Sequence, residues 1–408
     1  MLYTPSQKIL ERYATVLVNF ALNSGKGIKK GEVVRVTASE IAKPLYCELQ
    51  KMILKAGGHM VGNFQPDAVE GDINMSRDFY TYAKPEQLDF FPTKLMRGML
   101  DTIDHTITII SETDPKALAG VDAKKIMRRG IAMKPFMDWR NDKENKGKFT
   151  WTLALYGTPA MAYEAGLSEE EYWTQIIRAC FLDELDPIKK WKETYKQLDI
   201  YLKKINALSS SIDTLHVTGA DADLTIKLGE KRKWLGGGGR NIPSFEIFTS
   251  PDCRGTNGWI RFNQPLYRYG NKIEGIELTF KNGVVTKSSA THNESLLKQM
   301  VATEGANMVG EFSLTDKRFS RITKNMADTL FDENMGGPFG NTHIALGKSY
   351  TDCYTGNVSK FTSAQAKRLG YNDSSVHTDI ISTTDRTVTA TFKNGSTKVI
   401  YKNGEFVI

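Results

Sequence analysis

Hydrophobic and polar positions follow two different patterns along this chain, and the change comes near residue 209. In the first half, apolar residues at helical spacing, as in residues 6–23, alternate with short β-branched runs such as residues 33–37. Helices that alternate with buried strands are typical of an α/β layer with a largely parallel sheet. The second half consists of short strands separated by Gly and Asn turns, which favours a strand-rich α+β domain. We therefore predict an N-terminal domain over residues 1–208 and a C-terminal domain over residues 209–408.

Individual elements can be assigned from the same patterns. We predict strands at residues 33–37, 59–64, 105–110 and 151–156, and helices at residues 6–23, 39–55, 115–131, 169–181 and 186–208. Ser39 is the predicted N-cap of the second of these helices. In the second half we predict strands at residues 215–217, 223–228, 275–285 and 387–404. Lys-Asn-Gly occurs three times there, and we predict a hairpin turn at each.

Composition narrows the classes of partner and the location. Hydrophobic residues make up 40% of the 408 residues and charged residues 25%, as in a soluble globular protein. No apolar run reaches the roughly 18 residues of a membrane span, and the start lacks the basic-then-apolar order of a signal peptide. We therefore expect a cytoplasmic protein with no membrane partner.

The distribution of charge argues against a nucleic-acid partner, and the cysteine spacing argues against a thiolate zinc site. The formal net charge is +7, but the cations are spread out, and the Lys-rich residues 189–204 are typical of one solvated helix face. We therefore expect no nucleic-acid partner. The four cysteines are far apart and form no CxxC pair, so a thiolate zinc site is not expected.

Carboxylates and histidines gather in the last third of the chain, at the ends of short apolar runs. These candidate ligands are Glu246, Glu311, Glu333, His343, His377 and Asp379. Neutral imidazole with carboxylate is the ligand mixture that suits zinc, manganese or cobalt. Six donors exceed what one tetrahedral zinc ion needs, and they fit two ions that share a carboxylate and a bridging water. The sequence therefore predicts a site for two divalent metal ions in the C-terminal domain.

Each candidate also has a plain structural interpretation. A lone glutamate in the setting of Glu246 is more often a surface residue, Glu333 fits a helix cap, and His343 fits a core histidine. His377 and Asp379 are two residues apart, so on a strand both side chains would face the same side. The occurrence of all these donor segments within one predicted domain favours a shared site over separate structural roles.

Taken in order, these segments resemble the family of dinuclear metallopeptidases that contains aminopeptidase T, aminopeptidase S and PepS. The family pattern Asn-x-Pro-Ser-x-Glu-hydrophobic-Phe-Thr-Ser/Ala-Pro is matched by residues 241–251. A Gly-Glu pair, an Asp-Glu-Asn with a nearby His-hydrophobic-Ala-hydrophobic-Gly, and a final His-x-Asp match the remaining ligand segments. Tyr350, seven residues after His343, matches the family's active-site tyrosine. Residues 335–342, between Glu333 and His343, are more numerous than in the commoner family pattern.

The resemblance covers the whole chain and implies a function. We expect a metal-dependent aminopeptidase that releases N-terminal residues from short peptides through a metal-activated bridging water, and that forms a homodimer. Tyr350 is expected to donate a hydrogen bond to the oxyanion, and Glu311 is either a metal ligand or the residue that carries the proton to the leaving amine. Two alternatives remain open, namely another dinuclear metallohydrolase such as an amidase, and a non-catalytic metal-binding protein.

Overall fold

The computed structural model describes residues 3–69 and 74–408. By internal contacts the chain forms two compact units. The first unit contains the chain up to residue 195 together with residues 237–244 and 326–331. The second unit contains residues 196–236, 245–325 and 332–408. The division predicted at residue 209 stays a prediction.

The described residues form helices and strands that we number along the chain. The strands are β1 Val33–Ser39, β2 His59–Gln65, β3 His105–Ile110, β4 Thr150–Leu155, β5 Ile212–Gly219, β6 Ala222–Lys227, β7 Leu235–Gly236, β8 Asn241–Ile242, β9 Glu246–Thr249, β10 Asn257–Arg261, β11 Leu266–Arg268, β12 Asn271–Ile273, β13 Glu277–Lys281, β14 Val284–Ser289, β15 Val309–Thr315, β16 Asn341–Gly347, β17 His377–Ser382, β18 Arg386–Phe392, β19 Thr397–Lys402 and β20 Glu405–Phe406. The helices are α1 Gln7–Val16, α2 Leu22–Gly25, α3 Lys43–Lys55, α4 Met75–Tyr82, α5 Pro85–Asp89, α6 Thr93–Thr102, α7 Ala123–Asn145, α8 Pro159–Glu164, α9 Glu169–Ala179, α10 Pro187–Ser209, α11 Glu294–Val301, α12 Thr329–Asp332 and α13 Ser363–Arg368.

The first unit contains a parallel sheet of five strands in the order β2-β1-β3-β4-β8. Parallel neighbours need long crossover connections, and helices such as α3, between β1 and β2, supply them. The second unit contains antiparallel sheets of eight and five strands. The predicted fold class, a parallel α/β layer followed by strand-rich structure, is therefore confirmed.

Two details of the predicted helices are wrong. Ser39 ends β1 and does not cap a helix with its side chain, because its hydroxyl lies 2.8 Å from the hydroxyl of Ser111. The predicted helix at residues 115–131 begins only at Ala123, where the side chain of Asp122 accepts a hydrogen bond from the Lys124 amide. Gly120 has φ +77, a left-handed conformation that interrupts a helix, so the earlier residues form turns.

The three Lys-Asn-Gly segments lie at hairpin turns, as predicted. They connect β13 to β14, β18 to β19, and β19 to β20. In the first of these turns Asn282 has φ 51 and Gly283 has φ 83, a pair of left-handed residues that matches the right-handed twist of the flanking strands.

All four cysteines are free, and Cys180, Cys253 and Cys353 are buried while Cys47 is exposed. Within residues 3–69 and 74–408, no helix combines the length and the apolar character needed to cross a bilayer.

Candidate metal centre

Strand register brings three candidate ligands onto one face of the five-stranded sheet of the second unit. On β15, Ser313 follows Glu311 by two residues and lies opposite His343 on β16. Two residues further, Thr315 lies opposite Glu246 on β9. Residues opposite each other in an antiparallel pair share a face, as do residues two apart on one strand. Glu246, Glu311 and His343 therefore point to the same side of the sheet.

The neighbouring strand β17 adds two more ligands to this face, around two small residues. Ala345 on β16 lies opposite both Glu311 and Asp379, and Gly347 lies opposite His377. The small side chain of Ala345 and the missing side chain of Gly347 leave space between the surrounding donors. The period of two that places His377 and Asp379 on one side was predicted from their spacing.

Gly310 allows β15 to approach β16 closely beside the site. The pairing of β15 with β16 is irregular between Val309 and Glu311. A Cβ atom at Gly310 would lie 2.3 Å from the carbonyl oxygen of Gly347, so only glycine fits there. The irregularity sets which residues of β15 face the site, because a shift of one residue turns every side chain to the other face.

His343 lies among the carboxylates without forming an ordinary hydrogen bond. Its Nε2 atom is 3.4 Å from Glu246 Oε2, 3.5 Å from Glu311 Oε1 and 4.0 Å from Asp379 Oδ1. The side chain is 1% exposed, and neither ring nitrogen has a hydrogen-bond partner in the described part of the chain. A buried imidazole facing carboxylates at these distances is the arrangement expected of a metal ligand.

His377 is oriented by the backbone. Its Nδ1 atom lies 2.7 Å from the carbonyl oxygen of Lys348, so the Nδ1–H donates there. Its Nε2 atom is 3.4 Å from both Glu311 Oε2 and Asp379 Oδ1. A histidine held in this way presents neutral Nε2 to the site, as metal-ligating histidines commonly do.

Glu311 has one oxygen in each of two donor groups. Oε1 faces His343 and Oε2 faces His377. Within each of the groups Glu246–Glu311–His343 and Glu311–His377–Asp379, one donor atom per residue lies within 4.8 Å of the others. The two groups share Glu311, whose two oxygens face different histidines.

Glu333 reaches the cluster from outside the sheet. It follows α12 directly and is 7% exposed. Its carboxylate forms a third group with His343 and Asp379. The structure thus brings all six predicted ligands together, and the longer connection at residues 335–342 does not keep Glu333 away.

Two residues that support the ligands escaped the sequence analysis. The Ser313 hydroxyl donates to Glu246 Oε2 at 2.8 Å in a buried setting. Asn334 is fully buried, accepts a hydrogen bond from the Phe245 amide at 2.7 Å, and its side-chain nitrogen lies 3.4 Å from Glu333 Oε1. Asn334 therefore links the segment of Glu246 to Glu333. In the sequence, Asn334 directly follows Glu333, and Ser313 lies two residues after Glu311 on the same predicted face. These two spacings were the signals that could have identified them.

The cluster is electrostatically unbalanced without cations. Burial raises the pKa of Glu333, and the charges of Glu246 and Asp379 raise it further, well above its usual value. Burial would lower the pKa of His343, but the Glu246 and Glu311 carboxylates outweigh it and hold that pKa well above the usual value. Both pKa shifts mean that, without a metal ion, the cluster holds protons that offset the negative charge of its carboxylates. A divalent ion would supply that positive charge instead.

The donor set fits a divalent metal ion such as zinc. Zinc bonds to imidazole nitrogen and carboxylate oxygen are about 2.0–2.2 Å long, so tetrahedral donors stand roughly 3.4 Å apart. The separations of 3.4 and 3.5 Å around the Nε2 atoms of His343 and His377 match that spacing. They are longer than a normal N–H···O hydrogen bond.

Tyr350 lies at the edge of the cluster. Its ring contacts the His377 ring edge-on with a centroid distance of 4.9 Å, and the Phe248 ring with a distance of 5.6 Å. The backbone amide donates to the Ser250 hydroxyl at 2.8 Å. These contacts hold the phenol beside one of the candidate ligands.

Comparison with known proteins gives matches over nearly the whole chain. The family model described as thermophilic metalloprotease (M29) matches residues 6–406. Aminopeptidase PepS of Streptococcus thermophilus is 28% identical, with 98% of each chain covered. Aminopeptidase T of Thermus thermophilus is 29% identical, with 96% of this chain and 98% of that protein covered. The solved structure of wild-type AmpT from Thermus thermophilus matches with a TM-score of 0.80 at 26% identity, over 98% of this chain and 100% of that chain.

Proposed function

Because the chain belongs to the thermophilic metalloprotease (M29) family, we propose that it is a metal-dependent aminopeptidase that releases N-terminal residues from short peptides. The similarity to proteins named aminopeptidase PepS and aminopeptidase T over almost their full lengths supports this activity. The buried cluster of carboxylates and imidazoles supports the metal dependence.

We propose that the centre holds two divalent ions, with Glu311 between them. The observation that carries this proposal is that each Glu311 oxygen faces a different histidine. Charge supports the same number, because two divalent ions balance the four carboxylates of the cluster when both histidines are neutral. Zinc, cobalt and manganese all accept this ligand mixture.

The proposed reaction uses the ions and the chain's own residues in separate roles. Metal ions held by these residues would polarise the scissile carbonyl and lower the pKa of a bound water. The free α-amine of the substrate, in its neutral form, would offer its lone pair to one of the ions. The Tyr350 hydroxyl donates a hydrogen bond to the oxyanion, where a single well-placed donor is worth about 100- to 1,000-fold in rate.

Glu311 acts as a ligand in this proposal, and not primarily as the proton carrier. A carboxylate that carries protons needs an oxygen free of other partners, whereas both oxygens of Glu311 lie among donors of the cluster. His377 and His343, which face these two oxygens, are 23% and 1% exposed. A substitution at Glu311 should therefore remove metal together with activity.

Metal analysis tests this assignment. Wild-type protein stripped with chelator and reloaded with zinc or cobalt should retain about two ions per chain, whereas Glu311→Gln should retain fewer and lose activity. Glu230→Gln, at an exposed glutamate, is the matched control and should behave like the wild type. Full metal content in inactive Glu311→Gln would assign Glu311 to proton transfer, and no retained ion in the wild type would exclude the metal centre.

Two further expectations belong to the proposal. We infer that the protein acts in the cytoplasm on peptides and not on nucleic acid or membranes, on the composition of the chain. We also infer a homodimer, on the resemblance of its ligand segments to those of the family.

A further inference from the structure

Glu333 is the candidate ligand that lies outside the strands. The other five ligands are carried by β9, β15, β16 and β17, and strand pairing fixes their positions. Glu333 directly follows the short helix α12, and the described residues between α12 and β16 form no strand. The position of Glu333 therefore has to be set by other contacts.

Three successive carbonyl groups around Glu333 accept hydrogen bonds from side chains. The Asn341 Nδ2 atom donates to the carbonyl oxygen of Asp332 at 2.8 Å. The Thr315 hydroxyl donates to the carbonyl oxygen of Glu333 at 3.3 Å. The Ser320 hydroxyl donates to the next carbonyl oxygen along the chain. These bonds hold the backbone of an irregular segment in the way that strand pairing holds the other ligands.

Two of these donors belong to the sheet face that carries the ligands. Thr315 on β15 lies opposite Asn341 on β16, and Asn341 precedes His343 by two residues on the same strand. Residues in these relations share a face of the sheet. Glu333 and His343 also belong to one donor group, together with Asp379. Asn341 therefore links the backbone beside one candidate ligand to the strand that carries another.

The hydrogen bonds from Asn341 and Thr315 are shielded from solvent. Both residues are fully buried, and Asp332 is 2% exposed. The Asn341 Oδ1 atom has no hydrogen-bond partner in the part of the chain that the structure describes. The bond from Nδ2 to Asp332 is therefore what this amide contributes. A buried carbonyl group that lost such a donor would be left unsatisfied, so the segment would move to find another partner.

We propose that Asn341, assisted by Thr315, is a positioning residue that holds Glu333 ready to bind a metal ion. The inference rests on the proposed function, in which Glu333 is one of the four carboxylates around the ions. A ligand on an irregular segment binds tightly only if its backbone is already held in place, because otherwise the ion must also order the segment. Partners that orient metal ligands in this way typically change metal affinity about 10- to 100-fold.

A double-mutant cycle on metal affinity tests whether Asn341 acts through Glu333. We would measure the apparent Kd for zinc, by competition with a chromophoric chelator, in the wild type, Asn341→Ala, Glu333→Gln and the double variant. Asn341→Ala should raise this Kd about 10- to 100-fold in the wild-type background. In the Glu333→Gln background the same substitution should change it by no more than about twofold, because the ligand that Asn341 positions has already been lost.

A milder change at Thr315 has a matched control in the same sheet. Thr315→Val should raise the Kd about 2- to 10-fold, the usual effect of one neutral hydrogen bond, and Thr315→Ser should restore the wild-type value. Thr249 on β9 is also fully buried, and its hydroxyl donates to the carbonyl oxygen of Lys233 at 3.0 Å. Thr249→Val should therefore keep the wild-type Kd. Urea unfolding of the metal-free proteins shows that each variant folds, and the two valine variants should shift the midpoint similarly.

Two results from the cycle would overturn the inference. The first is a folded Asn341→Ala protein that binds zinc as the wild type does. The second is an equal effect of Asn341→Ala with and without Glu333, because that pattern belongs to a general structural role. If Asn341→Ala does not fold, an unchanged Kd in Thr315→Val, or the same loss in Thr249→Val, would overturn it. A wild type that retains no ion would overturn the proposed metal centre, and this inference with it.

Discussion

Tyr350 is the residue whose part in the reaction separates most cleanly from metal binding. Its ring packs against His377 and Phe248, and these contacts do not need the hydroxyl. Tyr350→Phe should therefore keep its metal content while kcat falls about 100- to 1,000-fold, because one donor to the oxyanion is lost. Tyr354→Phe, whose ring stacks on Phe361, is the control and should keep its rate. An unchanged kcat in Tyr350→Phe would remove the hydroxyl from the mechanism.

Ala345 tests whether the space on the sheet face holds the ions. It is fully buried and lies opposite both Glu311 and Asp379. In Ala345→Leu the added carbons should occupy that space and weaken metal binding by tenfold or more, with a loss of stability of about 1–3 kcal/mol from overpacking. Ala345→Gly leaves the space open and should bind metal nearly as the wild type does. Competition with a chromophoric chelator measures both, and normal affinity in Ala345→Leu would show that the ions lie elsewhere.

At the scale of elements, Arg386 stabilises β16, the strand that carries His343, through a hydrogen bond to Thr342. Arg386 lies on β18 and is 1% exposed. Its Nε and one Nη atom each donate to the Asp221 carboxylate at 3.2 Å. Its other Nη atom donates to the hydroxyl of Thr342 at 3.0 Å. Removing one member of a buried pair costs about 3–5 kcal/mol, and here Asp221 would lose its cation while it keeps the hydrogen bond from the Thr384 hydroxyl. Arg386→Met should lose that much free energy of unfolding in urea denaturation. A change below about 1 kcal/mol would show that this bracing is dispensable.

The elements themselves were predicted best where one short pattern decides them. The Lys-Asn-Gly turns and the period of two at His377 and Asp379 need only local sequence. Strand register was out of reach, because Glu246 on β9 pairs with Thr315 on β15, 69 positions later, and local sequence does not show which strands pair. The start of α7 was misplaced because a periodic run of residues does not reveal where the backbone turns at Gly120.

At the scale of the whole molecule, exposed apolar side chains bear on the predicted homodimer. In the first unit, Val61 and Phe64 on the edge strand β2 are 40% and 44% exposed, and Phe90 and Leu95 are 65% and 67% exposed. Apolar side chains that form one exposed patch are common at protein interfaces, whereas scattered ones are ordinary on any protein surface. We expect light scattering at micromolar concentration to give twice the chain mass of 45.7 kDa. A mass of one chain would contradict the homodimer, and Phe64→Glu should shift a dimer towards monomer.

The whole site was only partly accessible from the sequence. The six candidate ligands were found because imidazole and carboxylate side chains recur at the ends of apolar runs. The family pattern contains the same ligand types in the same order along the chain. Asn334 stands in the Asp-Glu-Asn segment, but the sequence does not show that it meets Phe245, 89 positions earlier, so its supporting role was not predicted.

The need for a free amino terminus tests the central claim most directly. Acetylation removes the charge of the α-amine and its ability to bind a metal ion, so the substrate is no longer held in position for attack. We would measure kcat/KM of the metal-loaded protein for free and N-acetylated dipeptides headed by leucine or an aromatic residue, with and without a chelator. Rapid cleavage of the free peptides, almost none of the acetylated ones, and no cleavage with the chelator is the predicted result. Equal rates for the two forms would contradict the aminopeptidase assignment and favour an amidase, and cleavage unaffected by the chelator would contradict the metal centre.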